Sequence, residues 1–233
     1  MKEMIEIFLQ DLFAVEKLDE ILSKLRYICG GKGKPLKLFI RKYEWVDMST
    51  NLTASNNNNN NTNNTNNNNF STTGHGGNGG NQKKGIEKTF VKMLYVEDVF
   101  RSTSSLRFES IPANYATFPV NYKKILLSAL EPGIRMVDLT SKLPLIQLSS
   151  TYALEGQSFT YHSIEISLYR MVSGNFTDRN MNENHNVPND WMIRLTCCSS
   201  EEKISNEIPA LLKLAGYFSP LLSFKAIHYA ELT

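Results

Sequence analysis

The sequence has few of the features that mark secreted, membrane-spanning or strongly basic proteins. Only three of its 233 residues are cysteines, and Cys197 and Cys198 are adjacent, which rarely suits disulfide geometry. No apolar run is long enough for a membrane span. The formal net charge of +2 is far below that of a dedicated nucleic-acid binder. These absences favour a reducing compartment and predict no membrane and no direct nucleic-acid partner.

Catalytic motifs are scarce as well. The run Gly30-Gly31-Lys32-Gly33-Lys34 has the composition of a phosphate loop, but it follows a helical pattern, whereas a phosphate loop must open a helix. The serine-hydrolase elbow is absent. No Glu-x-Glu pair occurs and Glu165 stands alone among its strand neighbours, which argues against the inward carboxylates of a metal-dependent barrel hydrolase. We therefore expect no catalytic residue, no metal and no cofactor.

Two other polar groupings have structural explanations that we favour. Lysines between residues 32 and 42 could form a basic patch with Tyr43 and Trp45, but strand lysines more often mark a solvated face or a protected edge. Cys197 and Cys198 offer two thiols, but adjacent strand residues point to opposite faces, so both cannot easily reach one ion. We expect Cys197 to be a buried core residue.

The largest change in composition runs from residue 49 to residue 85, where asparagine runs precede several glycine pairs. This segment has almost no apolar side chains to offset the entropy of ordering it. The composition predicts a disordered insertion within a single domain that spans residues 1–233. We interpret the insertion as a passenger, because loops tolerate long insertions at small thermodynamic cost; a functional low-complexity region is the alternative.

Most of the remaining chain has the period-two pattern of strands. The strands Leu36–Val46 and Thr89–Val99 are apolar on both faces, which predicts that each face is covered. The full set of predicted strands comprises Met4–Gln10, Leu36–Val46, Thr89–Val99, Leu106–Ile111, Leu143–Glu155, Ser158–Val172, Trp191–Cys198 and Leu221–Leu232. The two that flank Gly156 are expected to be joined there.

Helical patterns are fewer. Apolar residues recur at three- and four-residue spacing in Val15–Cys29, and glycines follow as a stop signal. Asn121–Leu130 fits a second helix, and Ser199–Phe218 fits a third that begins or kinks at Pro209. Strands outnumber helices, and the helices do not alternate with them. The sequence predicts an α+β, mainly β fold: an antiparallel barrel or curved sheet packed by two or three helices.

Several segments occur in the order of a known family. They are the strand end Phe8-Leu9-Gln10 before the helix Leu18 to Cys29, the pair Tyr152 to Phe159 and Ile164 to Arg170, and the ending Leu211 to Leu232 with Ser219-Pro220-Leu221-Leu222. This order resembles subunit 18 of Mediator, the transcription coactivator of RNA polymerase II. The match spans nearly the whole chain outside the insertion and contains no catalytic signature.

The resemblance implies a closed antiparallel β-barrel in the nucleus that pairs with Mediator subunit 20 and is tethered to the head module by a helix of subunit 8. That fold is similar to triphosphatase tunnel enzymes, whose barrels carry metal-binding glutamates. This chain lacks paired glutamates. We therefore predict a non-catalytic subunit of the head module that acts through protein–protein contacts and supports regulated transcription.

Aromatic residues dominate interface energetics, so the exposed strand faces are the candidate partner-binding surface. The candidates are Phe39, Tyr43, Trp45, Met93 and Tyr95; the alternative is that they form a core under a covering helix. Two rival functions remain. A triphosphate-hydrolysing tunnel enzyme requires inward acidic residues that converge with lysines, and a small-ligand-binding barrel requires a sizeable unfilled interior.

Overall fold

The computed structural model describes residues 2–45, 90–115, 118–131, 134, 146–173 and 190–224. The predicted insertion and most of the predicted strand Leu221–Leu232 lie outside these ranges. In chain order the elements are β1 Lys2–Ala14, a 3-10 turn Val15–Lys17, α1 Leu18–Cys29, β2 Lys34–Trp45, β3 Lys92–Asp98, β4 Thr103–Glu109, β5 Ala113–Asn114, β6 Asn121–Ala129, β7 Ile146–Tyr161, β8 Ile164–Ser173, β9 Asp190–Ser199 and α2 Ile204–Gly216.

The strands close into an antiparallel barrel. Hydrogen-bonded neighbours follow the order β1-β9-β8-β7-β2-β3-β4-β6, and β6 pairs again with β1 to complete the ring. The closing pair runs from Lys2 opposite Leu127 to Phe8 opposite Asn121, and the short β5 lies beside β6. The predicted closed antiparallel barrel with helices packed on it is therefore confirmed.

The main core lies between the outer wall of the barrel and the two helices. Odd-numbered residues of β1, including Ile5, Ile7 and Leu9, point out of the barrel into this core. They meet Ile21 and Leu25 of α1, together with the apolar face of α2 and the outward residues of β8 and β9. Cys197 is part of this core and is 1% exposed, as expected. Neither helix in the described ranges has the length and apolarity needed to cross a bilayer.

Local sequence signals explain the ends of the helices. Helix α1 ends at Cys29 and is capped by Gly30, whose φ of 70° is the left-handed conformation that terminates many helices. Helix α2 contains Pro209 in its interior rather than at its start. Its apolar residues Ile204, Ile208 and Leu211 nevertheless lie at helical spacing and are buried. Burial of this face therefore outweighs the backbone hydrogen bond lost at the proline.

Two sequence predictions are wrong. Asn121–Leu130 is not a helix, because β6 occupies Asn121–Ala129 and pairs with β1 and β4. Every second residue at its start is buried, and the first two are the polar Asn121 and Lys123, which hid the alternation. Gly156 is not a turn either, since β7 continues to Tyr161. A Cβ at Gly156 would lie 1.9 Å from the Leu168 carbonyl oxygen, so glycine is required there for close approach.

Candidate functional site in the barrel lumen

The barrel encloses a cavity of about 620 Å³ that opens to solvent. Even-numbered residues of β1, among them Glu6, Gln10 and Leu12, line it, because successive strand residues point to opposite faces. The same alternation brings Arg107 and Glu109 into the lumen from β4 and Arg194 from β9. A row of polar residues on alternate strand positions therefore faces the interior of the barrel and not the solvent.

Glu6 is the first centre of a buried ionic network. It is 1% exposed, and its carboxylate accepts hydrogen bonds from Arg107 Nη2 and from Arg194 Nη2. Lys123 Nζ lies 3.7 Å from Glu6 Oε1, as the pairing of Glu6 directly opposite Lys123 would place it. Three cations from three different strands thus surround one carboxylate.

Glu109 is the second centre and is 2% exposed. Lys123 Nζ donates to Glu109 Oε1 at 2.7 Å, and Lys92 Nζ lies 3.0 Å from Glu109 Oε2. Arg107 Nε donates to the same Oε1 at 2.5 Å. Lys92 is directly opposite Glu109 in the β3–β4 pairing, so strand register again sets the contact. Lys123 and Arg107 contact both carboxylates and join the two centres.

The network changes the titration of its members. Burial alone would raise the pKa of Glu109, but the cations Lys123, Arg107 and Lys92 outweigh it and hold that pKa well below its usual range. Burial lowers the pKa of Lys123 to about 7, the guanidinium groups of Arg194 and Arg107 act in the same direction, and Glu109 only partly offsets them. The lumen therefore holds the Glu109 anion beside an amine that titrates near neutral pH.

An aromatic ring supports the cationic side of the network. Arg194 Cζ lies 4.2 Å and Lys123 Nζ 5.6 Å from the centroid of the Phe8 ring. Cations over an aromatic face are attracted to its π electrons, most strongly where water is excluded. Phe8 is 1% exposed, so this attraction acts in a largely desolvated setting.

The donor set does not fit a divalent metal ion. The part of the chain that the structure describes contains no cluster of three or more His, Cys, Asp or Glu side chains that could hold one. Each of the two buried carboxylates is instead surrounded by three cationic side chains. Those cations occupy the oxygen positions that a metal such as Mg²⁺ would need.

The partner-binding residues expected from the sequence lie elsewhere, on the outer wall. Tyr43, Met93 and Tyr95 are 6%, 1% and 7% exposed and form a small cluster with Leu106. Trp45 is half-buried, and its Nε1 donates to the Phe90 carbonyl oxygen at 3.1 Å. The structure thus brings three of the five residues into one outer cluster.

Phe39, the remaining candidate, is also half-buried. Tyr152 and Tyr169, by contrast, line the lumen, and burial raises the pKa of both phenols.

Sequence reasoning missed the lumen site altogether. The only local signal was Glu6 between Ile5 and Ile7, because Glu109 is followed by Ser110 and Lys123 by Lys124. The two carboxylates come from different strands, and no short motif contains both.

Comparison with known proteins places the fold among solved barrels. A chain of the Schizosaccharomyces pombe Mediator head module is similar, with 11% identity, a TM-score of 0.64, and coverage of 96% of this chain and 99% of that chain. A putative adenylate cyclase from Vibrio parahaemolyticus is also similar, with 10% identity, a TM-score of 0.51, and 97% of each chain covered. No protein-family model and no curated protein matches the sequence. At such identities the likeness establishes a common fold.

The prediction that this chain is not an enzyme is wrong. It rested on the absence of inward acidic residues that converge with lysines, yet Glu6 and Glu109 meet Lys92 and Lys123 in the lumen. The same barrel also occurs in a putative adenylate cyclase. The error has a physical reason: a closed sheet assembles its interior from many strands, so converging carboxylates need not be neighbours in sequence.

Proposed function

We propose that this chain is a barrel subunit of a Mediator-type head assembly, in the nucleus, that belongs with subunit 18 and docks to other subunits. The observation that carries the proposal is the likeness to a chain of the S. pombe head module, which spans 96% of this chain and 99% of that one. Its TM-score of 0.64 exceeds the 0.51 of the cyclase-type barrel. The partners that this role implies are subunit 20 as a second barrel and a helix of subunit 8.

The outer wall offers a surface that suits docking. Leu148 of β7 is 50% exposed and pairs directly opposite Tyr43, so the two side chains share a face of the sheet. Half-buried Trp45 continues that face opposite Ile146. An exposed apolar side chain beside an aromatic cluster is the composition of an interface centre. Phe39, Tyr43, Trp45, Met93 and Tyr95, with Leu148 added, are therefore our proposed partner-binding group. Leu148, Trp45 and Phe39 reach its surface, and Tyr43, Met93 and Tyr95 support it from beneath.

Affinity purification of the tagged full-length protein from its native cells, followed by mass spectrometry, tests this proposal. We expect head-module subunits to co-purify, including a second barrel subunit. Leu148→Asp should reduce their recovery at least tenfold, because a charge would be buried in the interface. Tyr27→Asp, at a position of α1 that is 89% exposed, is the matched control and should leave recovery unchanged. Purified wild-type protein without head subunits would refute the assignment.

A second candidate function is chemistry on triphosphates within the lumen. The observation that favours it is the convergence of Lys92, Arg107, Lys123 and Arg194 beside two carboxylates, since cationic clamps stabilise transferring phosphoryl groups. The test is phosphate release from inorganic triphosphate and from ATP, with Mg²⁺ present and absent. Activity that Lys92→Met abolishes and Lys37→Met retains would support it. No release above the buffer rate would eliminate it.

A further inference from the structure

The lumen is chemically divided along its length. The ionic network surrounds Glu6 on β1. Six residues further along the same strand, Leu12 lies opposite Met192 and belongs to a band of apolar side chains. Met192 pairs with Tyr169 on β8. Two residues further along β8, Met171 pairs with Leu154, which pairs in turn with Leu38 on β2, so the band continues around the wall. Six strand residues span about 20 Å. With a strand tilt of about 40°, the two zones are separated by about 15 Å along the barrel axis.

The charged zone has a surplus of cations. Lys92, Arg107 and Arg194 surround only two buried carboxylates, Glu6 and Glu109, and Lys123, whose pKa is about 7, adds part of a fourth positive charge at neutral pH. Glu165 and Asp190 also line the cavity, but both are exposed to solvent. Partly buried cations without full compensation are unfavourable, so this zone would be stabilised by an anion.

The surplus cations can be reached from the cavity. The side chains of Lys92, Arg107 and Arg194 retain 28%, 24% and 22% of their exposure, and all three line the lumen. Lys123 is deeper, at 6%. An anionic group that enters the lumen would therefore meet two guanidinium groups and one ammonium before it reached the buried carboxylates.

Two apolar side chains at the end of the apolar zone are exposed, so a hydrocarbon chain could cover them. Leu12 is 60% and Met171 50% exposed, although both line the cavity. Leu36, Leu38 and Leu154 extend the same lining inward. Methionine side chains adapt to irregular apolar ligands, and a cavity of about 620 Å³ lies within the usual range for small-molecule sites.

We infer that the lumen binds an amphiphilic anion, with one anionic head group on Arg107, Arg194 and Lys92 and an aliphatic tail along the band that ends at Leu12 and Met171. The head group is a carboxylate or a phosphate monoester. A triphosphate would leave the apolar band without a role, and its high charge would meet Glu6 and Glu109. This site goes beyond docking to other subunits, and it can fail while the assembly role stands.

Isothermal titration calorimetry on the full chain tests the inference with four probes below their micelle concentrations: dodecyl phosphate, dodecanoate, dodecyltrimethylammonium and inorganic triphosphate. We expect one molecule of dodecyl phosphate or dodecanoate to bind per chain. The stronger of the two identifies the head group. The cationic amphiphile has the same tail and should not bind.

Variants separate the two zones. Leu12→Asn should weaken binding about tenfold, equivalent to about 1.4 kcal/mol, and its exposed position protects the fold. Arg194→Met should weaken it at least as much, with thermal unfolding measured in parallel. Tyr27→Asn is the control outside the barrel and should bind as wild type. Equal binding of the cationic amphiphile, binding of triphosphate alone, no binding, or no effect of Leu12→Asn would each overturn the inference.

Discussion

In the middle of strand β1, at Glu6 and Ile7, the two faces are buried almost equally but by different means. On the outer face Ile7 is 0% exposed within the core beneath the helices, and on the inner face Glu6 is 1% exposed within the ionic network. The outer face is stabilised by removal of apolar surface from water, which is non-directional and tolerant of small changes. The inner face depends on hydrogen-bonded charges whose partners must all be present. Alternating polar residues therefore do not by themselves indicate a solvated face.

Removal of the Glu6 carboxylate should cause the largest loss of stability on the inner face. Glu6→Ala leaves Arg107, Arg194 and Lys123 with one carboxylate fewer in a buried site. We expect the free energy of unfolding to fall by about 3–5 kcal/mol, measured by urea denaturation. Glu3→Ala, at an exposed position on the same strand, should change it by less than about 0.5 kcal/mol. Equal losses in the two variants would contradict a structural role for the network.

Burial of Lys123 on the inner side of the barrel should make the stability of the protein depend on pH. Its folded pKa of about 7 lies below the ordinary lysine value of 10.5, so between these values the unfolded chain binds more protons. Stability should therefore rise with pH from 7 towards 10, by at most about 1.4 kcal/mol per pH unit. Lys123→Met should remove this rise. Parallel pH profiles of wild type and variant would show that Lys123 keeps an ordinary pKa.

Deletion of one methyl group measures how strongly packing on the outer face stabilises the protein. Ile7→Val removes one methyl group from a fully buried site, and we expect a loss of about 0.5–1.5 kcal/mol. The variant should retain the pH dependence of the wild type, because no charge is involved. Denaturant curves at pH 7 and pH 9 check both points. A changed pH profile would show that the two faces are coupled.

A partly exposed ion pair on the outer wall of the barrel should contribute least to stability. Lys37 Nζ and Glu155 Oε1 are 3.0 Å apart on side chains that are 29% and 26% exposed. A double-mutant cycle with Lys37→Met and Glu155→Gln should give a coupling energy of about 0.2–1 kcal/mol that weakens in salt. A coupling as large as the Glu6→Ala loss would remove the distinction between buried and surface charges.

The sequence predicted most elements wherever burial followed apolar residues. The strand at the start of the chain, the helix ending at Cys29 and the strands around Ile166 and Ile193 all lie where the apolar period placed them. The barrel itself was predicted from strands that are apolar on both faces, together with the family resemblance.

The failures occur where polar residues are buried. Asn121 and Lys123 obscured the period of β6, and their burial depends on partners such as Glu109 from another strand. The lumen network was missed for the same reason: its contacts are created by closure of the sheet and have no local signature. Gly156 shows a second kind of failure, since only a neighbouring backbone makes glycine necessary there.

The position of β1 between β6 and β9 also sets an order of events during synthesis. Residues near Ile5 must pair with residues near Lys124 on one side and near Ser199 on the other. The ring cannot close until β9 has left the ribosome, and such distant pairings fold slowly. Until then the edge of β1 that pairs with β9 is open, and other chains could join it. Nascent chains should therefore need protection at β1, and truncation before Asp190 should produce aggregation rather than a smaller barrel.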